Sequence, residues 1–319
     1  MKRKQVRKES MLPSVSVILA VYNEEKLIEQ KLRNLFELEY PSSLLQIIVS
    51  SDGSEDQTEA KVACWQEAHQ DGPVLMLLTA PAHVGKAAAL NRAVAHAWGE
   101  VVVFIDARQI LDRNAILHLV SNFADERVGA VSGELILMDR PGGKGVVSVG
   151  LYWRYEKWLR KMESDVDSML GATGAIYALR RSLYDPIPTE TILDDVLIPM
   201  QAVFRGYRVV FEPKALAYDF VPRRAESEFL RKVRTLAGNY QLLWEVGALW
   251  SLKKNRLFFQ FFSHKVARLL VPFMLILLLL SNLFLTQGIY FIFLLLQLVW
   301  YSLALLGGMS YAKVDPKTS

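Results

Sequence analysis

An α/β fold is predicted: a mostly parallel sheet flanked by helices, followed by a C-terminal transmembrane helical hairpin. Three observations predict it. Short apolar, β-branched runs alternate with stretches of helical period before residue 220, the pattern of strands joined by helical crossovers. Three of the runs end in polar turns carrying Asn23 and Glu24, Asp52, and Asp106, and parallel sheets bind ligands at such carboxyl ends. Two apolar stretches close the chain, separated by Thr286-Gln287-Gly288, and each is long enough to cross about 30 Å of hydrocarbon.

In order, residues 13–22 (PSVSVILAVY) form a buried strand, and residues 25–38 a helix that Tyr40-Pro41 ends. Residues 45–49 are a second strand, followed by a polar turn through Asp52-Gly53 and a helix over 57–69. A third strand (74–78), an Ala-rich helix (85–98) carrying Lys86, Asn91 and Arg92, and a fourth strand (101–105) ending in Asp106-Ala107-Arg108 complete the pattern. Residues 128–138 read as a further strand, parallel or antiparallel, before a Gly-rich loop at 141–145 and an aromatic amphipathic helix at 152–161. The small-residue loop 171–175, with Gly171 and Gly174, lets a backbone approach a ligand closely or makes a tight turn. A short strand (176–179), a helical segment opened by Asp194-Asp195, strand-like runs at 207–211 and 213–218, and a basic helix at 226–245 follow.

Composition bounds the class. At 319 residues there is room for one large domain or two smaller ones. The 52% hydrophobic content and mean hydropathy of +0.19 are high for a soluble protein, and the excess lies after residue 265. Net charge is +4, with basic residues clustered at Lys2, Arg3, Lys4, Arg7 and Lys8 and again at Lys253, Lys254, Arg256, Lys265 and Arg268. Basic runs beside apolar segments suit an anionic cytoplasmic leaflet better than nucleic acid, with a solvated tail as the alternative at the N-terminus. The single cysteine, Cys64, excludes an intrachain disulfide framework and offers no metal cluster. No apolar signal segment opens the chain. Cations before the hairpin, with Lys313 and Lys317 after it, put both ends in the cytoplasm; a buried hairpin of a soluble protein is the alternative. The resulting division is a basic tail (1–12), an α/β domain (13–222), interfacial helices (223–264), two spans (265–309) and a tail (310–319).

Asp194 and Asp195 have two readings on their own. Carboxylates favour helix N-termini, as caps or dipole partners; a carboxylate there can also serve as a general base.

Taken together, the motifs resemble family 2 glycosyltransferases, inverting enzymes with a GT-A nucleotide-sugar domain, and most of all their membrane-anchored bacterial branch, which includes cellulose and hyaluronan synthases. PSVSVILAVYNEE is similar to that family's first strand and nucleotide loop, SSDGSED to its second acidic motif, and GKAAALNRA to the segment lining the diphosphate. FIDARQIL occupies the place of its Asp-x-Asp motif, GATGAIYALRR that of its acceptor-side glycine loop, LDD that of Thr-Glu-Asp, and Arg231-Lys-Val-Arg234-Thr235 that of (Gln/Arg)-x-x-Arg-Trp. The resemblance implies Asp195 as general base with Asp194 in support. It implies Asn23, Glu24, Asp52, Lys86, Asp106 and Arg108 on the donor side, and Gly171, Gly174, Arg231 and Arg234 on the acceptor and diphosphate side. The donor it implies is a UDP-sugar, the acceptor a lipid-linked or growing glycan, and the place the cytoplasmic face of the inner membrane.

Two departures bear on this. Arg108 stands where the family has the metal-binding acid, and a guanidinium cannot ligate a cation. Either Arg108 gives positive charge to the diphosphate, or it turns away and Asp106 holds Mg2+ or Mn2+ with waters. Thr235 replaces the tryptophan of the processive synthases, and two spans leave little for a private polymer channel unless a partner subunit or self-association completes it. Both favour addition of one or a few sugars. A processive synthase and a catalytically inactive membrane scaffold are the rival expectations. A dinucleotide oxidoreductase is disfavoured, because no G-x-G-x-x-G follows the first strand.

Overall fold

The computed structural model describes residues 4–138, 151–220, 225–285 and 287–312, with side chains excepted at 151–153, 225–228 and 308–312. The glycine loop at 141–145, Lys2 and Arg3, Thr286, and Lys313 and Lys317 in the C-terminal tail lie outside these residues.

Four parallel strands build the first half of the sheet: β1 (Val15–Val21), β2 (Leu45–Ser51), β3 (Val74–Leu78) and β4 (Val101–Ile105), in the order β3-β2-β1-β4. β2 and β4 are buried along their whole length, which is why β4 (VVVFI) reads as an unbroken apolar run rather than an alternating one. Helices α1 (Ile28–Phe36), α2 (Thr58–Ala68) and α3 (Lys86–Ala95) make the crossovers. Chain direction around the sheet reverses at β1, with β2 on one side and β4 on the other. The carboxyl ends of β1 and β4 therefore flank a crevice at a topological switch point, the standard ligand position in such sheets.

The second half is not parallel throughout. β5 (Ile110–Leu111), β6 (Val128–Met138), β7 (Ile176–Arg180) and β8 (Arg208–Phe220) extend the sheet as β4-β7-β6-β8-β5. β7 runs antiparallel to both β4 and β6, β8 parallel to β6, and β5 antiparallel to β8. The sheet is mixed where a mostly parallel one was expected, because hydrophobic periodicity reports burial and not strand direction. The runs at 207–211 and 213–218 join into the single strand β8 across Glu212, whereas β5 and α4 (Ala115–Val120) have too few residues for a period. α5 (Leu151–Val166), α6 (Asp194–Phe204) and α7 (Ala225–Glu245) complete this half.

The chain divides into two compact units, Met1–Pro222 with Leu230–Phe258, and Arg223–Phe229 with Phe259–Ser319. The first unit takes in the basic N-terminal segment. Lys4 Nζ pairs with Asp167 at 2.7 Å, Lys8 Nζ pairs with Glu212 at 2.5 Å, and the Glu9 N–H donates to Ser121 O. Those two cations are spent on the domain itself.

In the second unit, α8 (Phe258–Phe261) leads through one π-type turn into α9 (Ala267–Phe284), and α10 (Ile289–Ala312) follows. Two helical stretches, Phe258–Phe284 and Ile289–Gly307, are long and apolar enough to cross a membrane, with most of their side chains exposed. Asn282 Nδ2 donates to Gln297 Oε1 at 3.0 Å, and the Tyr301 hydroxyl donates to Leu275 O at 2.9 Å, joining α9 to α10.

Candidate active site

The site lies at the carboxyl ends of β1, β2 and β4. After β1 the chain turns at Asn23, whose φ of 54° is left-handed, a region Asn tolerates better than most residues. The turn is laced to the turn after β2: Ser54 Oγ accepts from Asn23 N–H at 3.1 Å, Asn23 Oδ1 accepts from Glu55 N–H at 2.8 Å, and Thr58 Oγ1 accepts from Glu24 N–H at 2.8 Å. The Asn23 side chain is thus engaged in holding two loops together. Burial raises the Glu24 carboxyl; Arg108 opposes this, and Asp56 and Asp106 add to it.

Asp52 is nearly buried, at 2% exposure. Its carboxylate accepts from Val84 N–H at 3.1 Å and Gly85 N–H at 2.7 Å, with His83 Nδ1 at 2.9 Å. Tyr22 lies against the His83 ring at 4.1 Å between centroids. Asp52 therefore shapes the turn that delivers Lys86 to the first position of α3.

Lys86 is the hub. Its ammonium donates to Asp106 Oδ1 at 3.0 Å, and it stands 3.1 Å from Asp194 Oδ2, off the line of a hydrogen bond. Burial pulls the Lys86 ammonium down, but Asp194, Asp106 and Asp195 outweigh it and hold it above the usual lysine value. Asp194 is 5% exposed. Both aspartates lie in the first turn of α6, where the helix dipole favours negative charge. Leu193 holds the cap position and no side chain caps the helix, so of the cap and dipole roles only the second is seen, and the general-base reading stays open.

The glycine loop closes the site from the other side. Gly171 has φ +147°, and Ala172 N–H donates to Asp195 O at 2.8 Å. A Cβ on Gly171 would come within 3.2 Å of Asp195 O. A Cβ on Gly174 would lie 3.4 Å from Asp195 Oδ2 and 3.7 Å from Asp106 Oδ2. The two carboxylates thus face one small space beside Gly174, which a side chain larger than a methyl group would fill. Antiparallel β7 makes this meeting, since Ile176 opposite Ile105 sets the glycine loop beside the end of β4.

Arg108 turns to β8, where its NH2 donates to Asp219 Oδ2 at 2.6 Å. Arg231 and Arg234 are exposed on α7, outside the Lys86 group in the contacts described. That helix nonetheless braces the segment leading into α6: Gln241 Oε1 accepts from Ile192 N–H at 3.0 Å, and Gln241 Nε2 donates to Glu190 O at 2.8 Å.

Several groups had no motif. Lys31 is fully buried, its ammonium donating to Gln109 O at 2.7 Å, and burial pulls it down to about 7 against the opposing charge of Asp106. Its signal was available, since Ile28, Lys31, Leu32 and Leu35 share one buried helical face. Tyr177 is buried in β7; burial, then Asp194 and Asp195, raises its hydroxyl well above the usual value. Asp219 had no local signal.

With this geometry in hand, the likenesses to known proteins fit. The model of glycosyl transferase family 2 matches residues 16–187. A probable glycosyltransferase of Bacillus subtilis, YdaM, is 27% identical over 79% of this chain and 61% of its own length. The poly-beta-1,6-N-acetyl-D-glucosamine synthase of Staphylococcus aureus is 25% identical over 73% of this chain and 56% of its own. The chain thus spans about three-fifths of the length of the curated relatives it matches. The mannosyltransferase PcManGT of Pyrobaculum calidifontis, solved with GDP-Man and Mn2+, has a TM-score of 0.64 at 25% identity, covering 95% of this chain and 90% of that one. S. aureus TarS with UDP-GlcNAc, at 18% identity and a TM-score of 0.55 over 79% of this chain and 73% of that one, shares the fold.

Proposed function

The chain belongs to glycosyl transferase family 2, and from that premise we propose that it moves a sugar, with inversion at the anomeric carbon, from a nucleoside-diphosphate sugar to a hydroxyl of a lipid-linked or growing glycan. The observation that carries the reading is the convergence of Asp195 and Asp106 on the space above Gly174, with Lys86 between Asp106 and Asp194.

Asp195 is the general base. A carboxylate is too weak a base to ionise an alcohol in advance, so the proton passes to Asp195 as the new C–O bond forms and the hydroxyl becomes acidic. The Ala172 N–H bond to its backbone carbonyl and the first turn of α6 hold it in place. Lys86 gives a fixed ammonium to the diphosphate as the bond to the sugar breaks, and Asp106 and Asp194 orient that ammonium beforehand. Asn23, Glu24 and Asp52 shape the loops that receive the nucleoside. UDP is the nucleotide proposed, from the resemblance of the Asp52 motif, with GDP as the second candidate because PcManGT holds GDP-Man.

Among the described residues no three acidic, histidine or cysteine side chains gather as a metal cage. Asp106 Oδ2 nonetheless faces the Gly174 space, and a magnesium-type ion is content with one or two carboxylates plus phosphate oxygens and water. The residues fit a Mg2+ or Mn2+ held by Asp106 and the donor. When bound, such an ion would offset charge on the diphosphate.

The two long apolar helices support a membrane anchor, and the cations that flank them in the sequence favour a cytoplasmic active site on the inner membrane. Exposed Tyr155 and Trp158 on α5 support a site held against the bilayer, where a lipid-linked acceptor is presented. Likeness to a poly-N-acetylglucosamine synthase favours processive synthesis as a second reading; sizing the products of the purified enzyme separates long polymer from short adducts.

The test is Asp195→Asn in the full chain. Transfer should fall by about 100-fold or more while UDP binding is kept. Transfer at close to the wild-type rate would remove Asp195 from its role.

A further inference from the structure

Arg108 is not a loose replacement for an acid. Its NH2 donates to Asp219 Oδ2 at 2.6 Å, and the same oxygen accepts from Gln109 Nε2 at 3.1 Å. The other oxygen, Oδ1, accepts from Phe220 N–H at 2.8 Å. Asp219 is only 2% exposed, and a buried carboxylate satisfied by three donors is a rigid post. The sheet builds this contact. β5 sets Ile110 opposite Tyr218 and Leu111 opposite Ala217, so the antiparallel register carries Gln109 and then Arg108 to Asp219. From the far side, Lys31 holds Gln109 O, and Asn34 makes paired bonds with the Leu111 backbone.

The Arg108 side chain remains half exposed. It stands two residues beyond Asp106, just past the carboxyl end of β4, which puts the guanidinium at the mouth of the crevice that receives the donor. A guanidinium has five N–H donors, and a phosphate accepts two of them side by side. We propose that Asp219 is a positioning residue for donor binding: it anchors one edge of Arg108 so that the rest of the guanidinium binds the diphosphate of the nucleotide. This rests on the nucleotide-sugar reading above.

Removing Arg108 alone would leave the Asp219 charge buried without its counterion, so the decisive variant is the neutral pair Arg108→Gln/Asp219→Asn. The full chain in detergent, with circular dichroism to check folding, is titrated calorimetrically with UDP and with uridine at fixed salt and Mg2+. UDP should bind the pair variant about tenfold or more weakly than wild type, with uridine unchanged. Asp219→Asn should raise the donor KM several-fold with kcat little altered, and Asp219→Glu should restore it in part. Equal UDP affinity in wild type and the folded pair variant overturns the inference alone. A wild-type protein that binds neither UDP nor GDP overturns both the inference and the donor reading beneath it.

Discussion

Lys31 makes the stability of the chain depend on pH in a direction that can be worked out in advance. Its ammonium is fully buried beneath the loop that carries Asp106, with one carbonyl as its hydrogen-bond acceptor. Burial takes it from the usual 10.5 to about 7. Between those values the unfolded chain holds a proton that the folded chain lacks, so unfolding takes up a proton and stability rises with pH. Below about 7 both states are protonated and the cost of the buried charge is complete. At about 1.4 kcal/mol for each tenfold change, the drop is on the order of 5 kcal/mol over the whole window. Lys31→Met keeps the length and removes the charge, at the loss of a hydrogen bond worth about 1 kcal/mol. The assay is denaturant unfolding of the full chain in detergent, followed by tryptophan fluorescence at intervals from pH 6 to pH 10, wild type against variant. The difference between the two isolates Lys31 from tyrosines and other groups that titrate in common. The variant should be more stable at the acid end, and the wild type should close the gap as pH rises. Parallel curves would refute the reasoning, because they would mean that Lys31 keeps its proton in the fold or reaches water.

Three further outcomes follow from the site. Lys86→Met should leave Asp106 and the buried Asp194 without their shared cation, weakening UDP binding and lowering kcat by about 100-fold; normal kinetics in a folded variant would end its assignment. Gly174→Val should fill the space between the Asp195 and Asp106 carboxylates, so that secondary structure survives but transfer does not, which circular dichroism and a product assay read together. EDTA should abolish transfer and Mg2+ or Mn2+ restore it; full activity in EDTA would show that Asp106 works without a cation and that Lys86 and Arg108 carry the charge.

Much of the site was legible because its residues lie where local patterns change. Asn23, Asp52 and Asp106 mark the ends of mainly apolar runs, because β1, β2 and β4 are buried along nearly their whole length. Asp194 and Asp195 announce themselves as acids opening an apolar helix. Lys31 was legible in principle, as a cation on the buried face of α1, but a lysine between apolar neighbours more often reaches out to water. Asp219 was not legible at all: a single acid near the end of a strand has many uses, and its partner Arg108 is 111 positions away.

The sequence by itself determined the alternation of strands and helices, the acidic strand ends, the acids at the start of α6 and the two apolar helices at the end of the chain. Each depends on the burial and period of one element, which neighbouring residues express. Only the tertiary structure decided that β7 runs antiparallel beside β4 and sets Gly174 between Asp106 and Asp195. Only there does Lys86 lie between two carboxylates, and Arg108 turn to Asp219. Strand order and direction decide these meetings, and a pattern that reports burial carries no record of either.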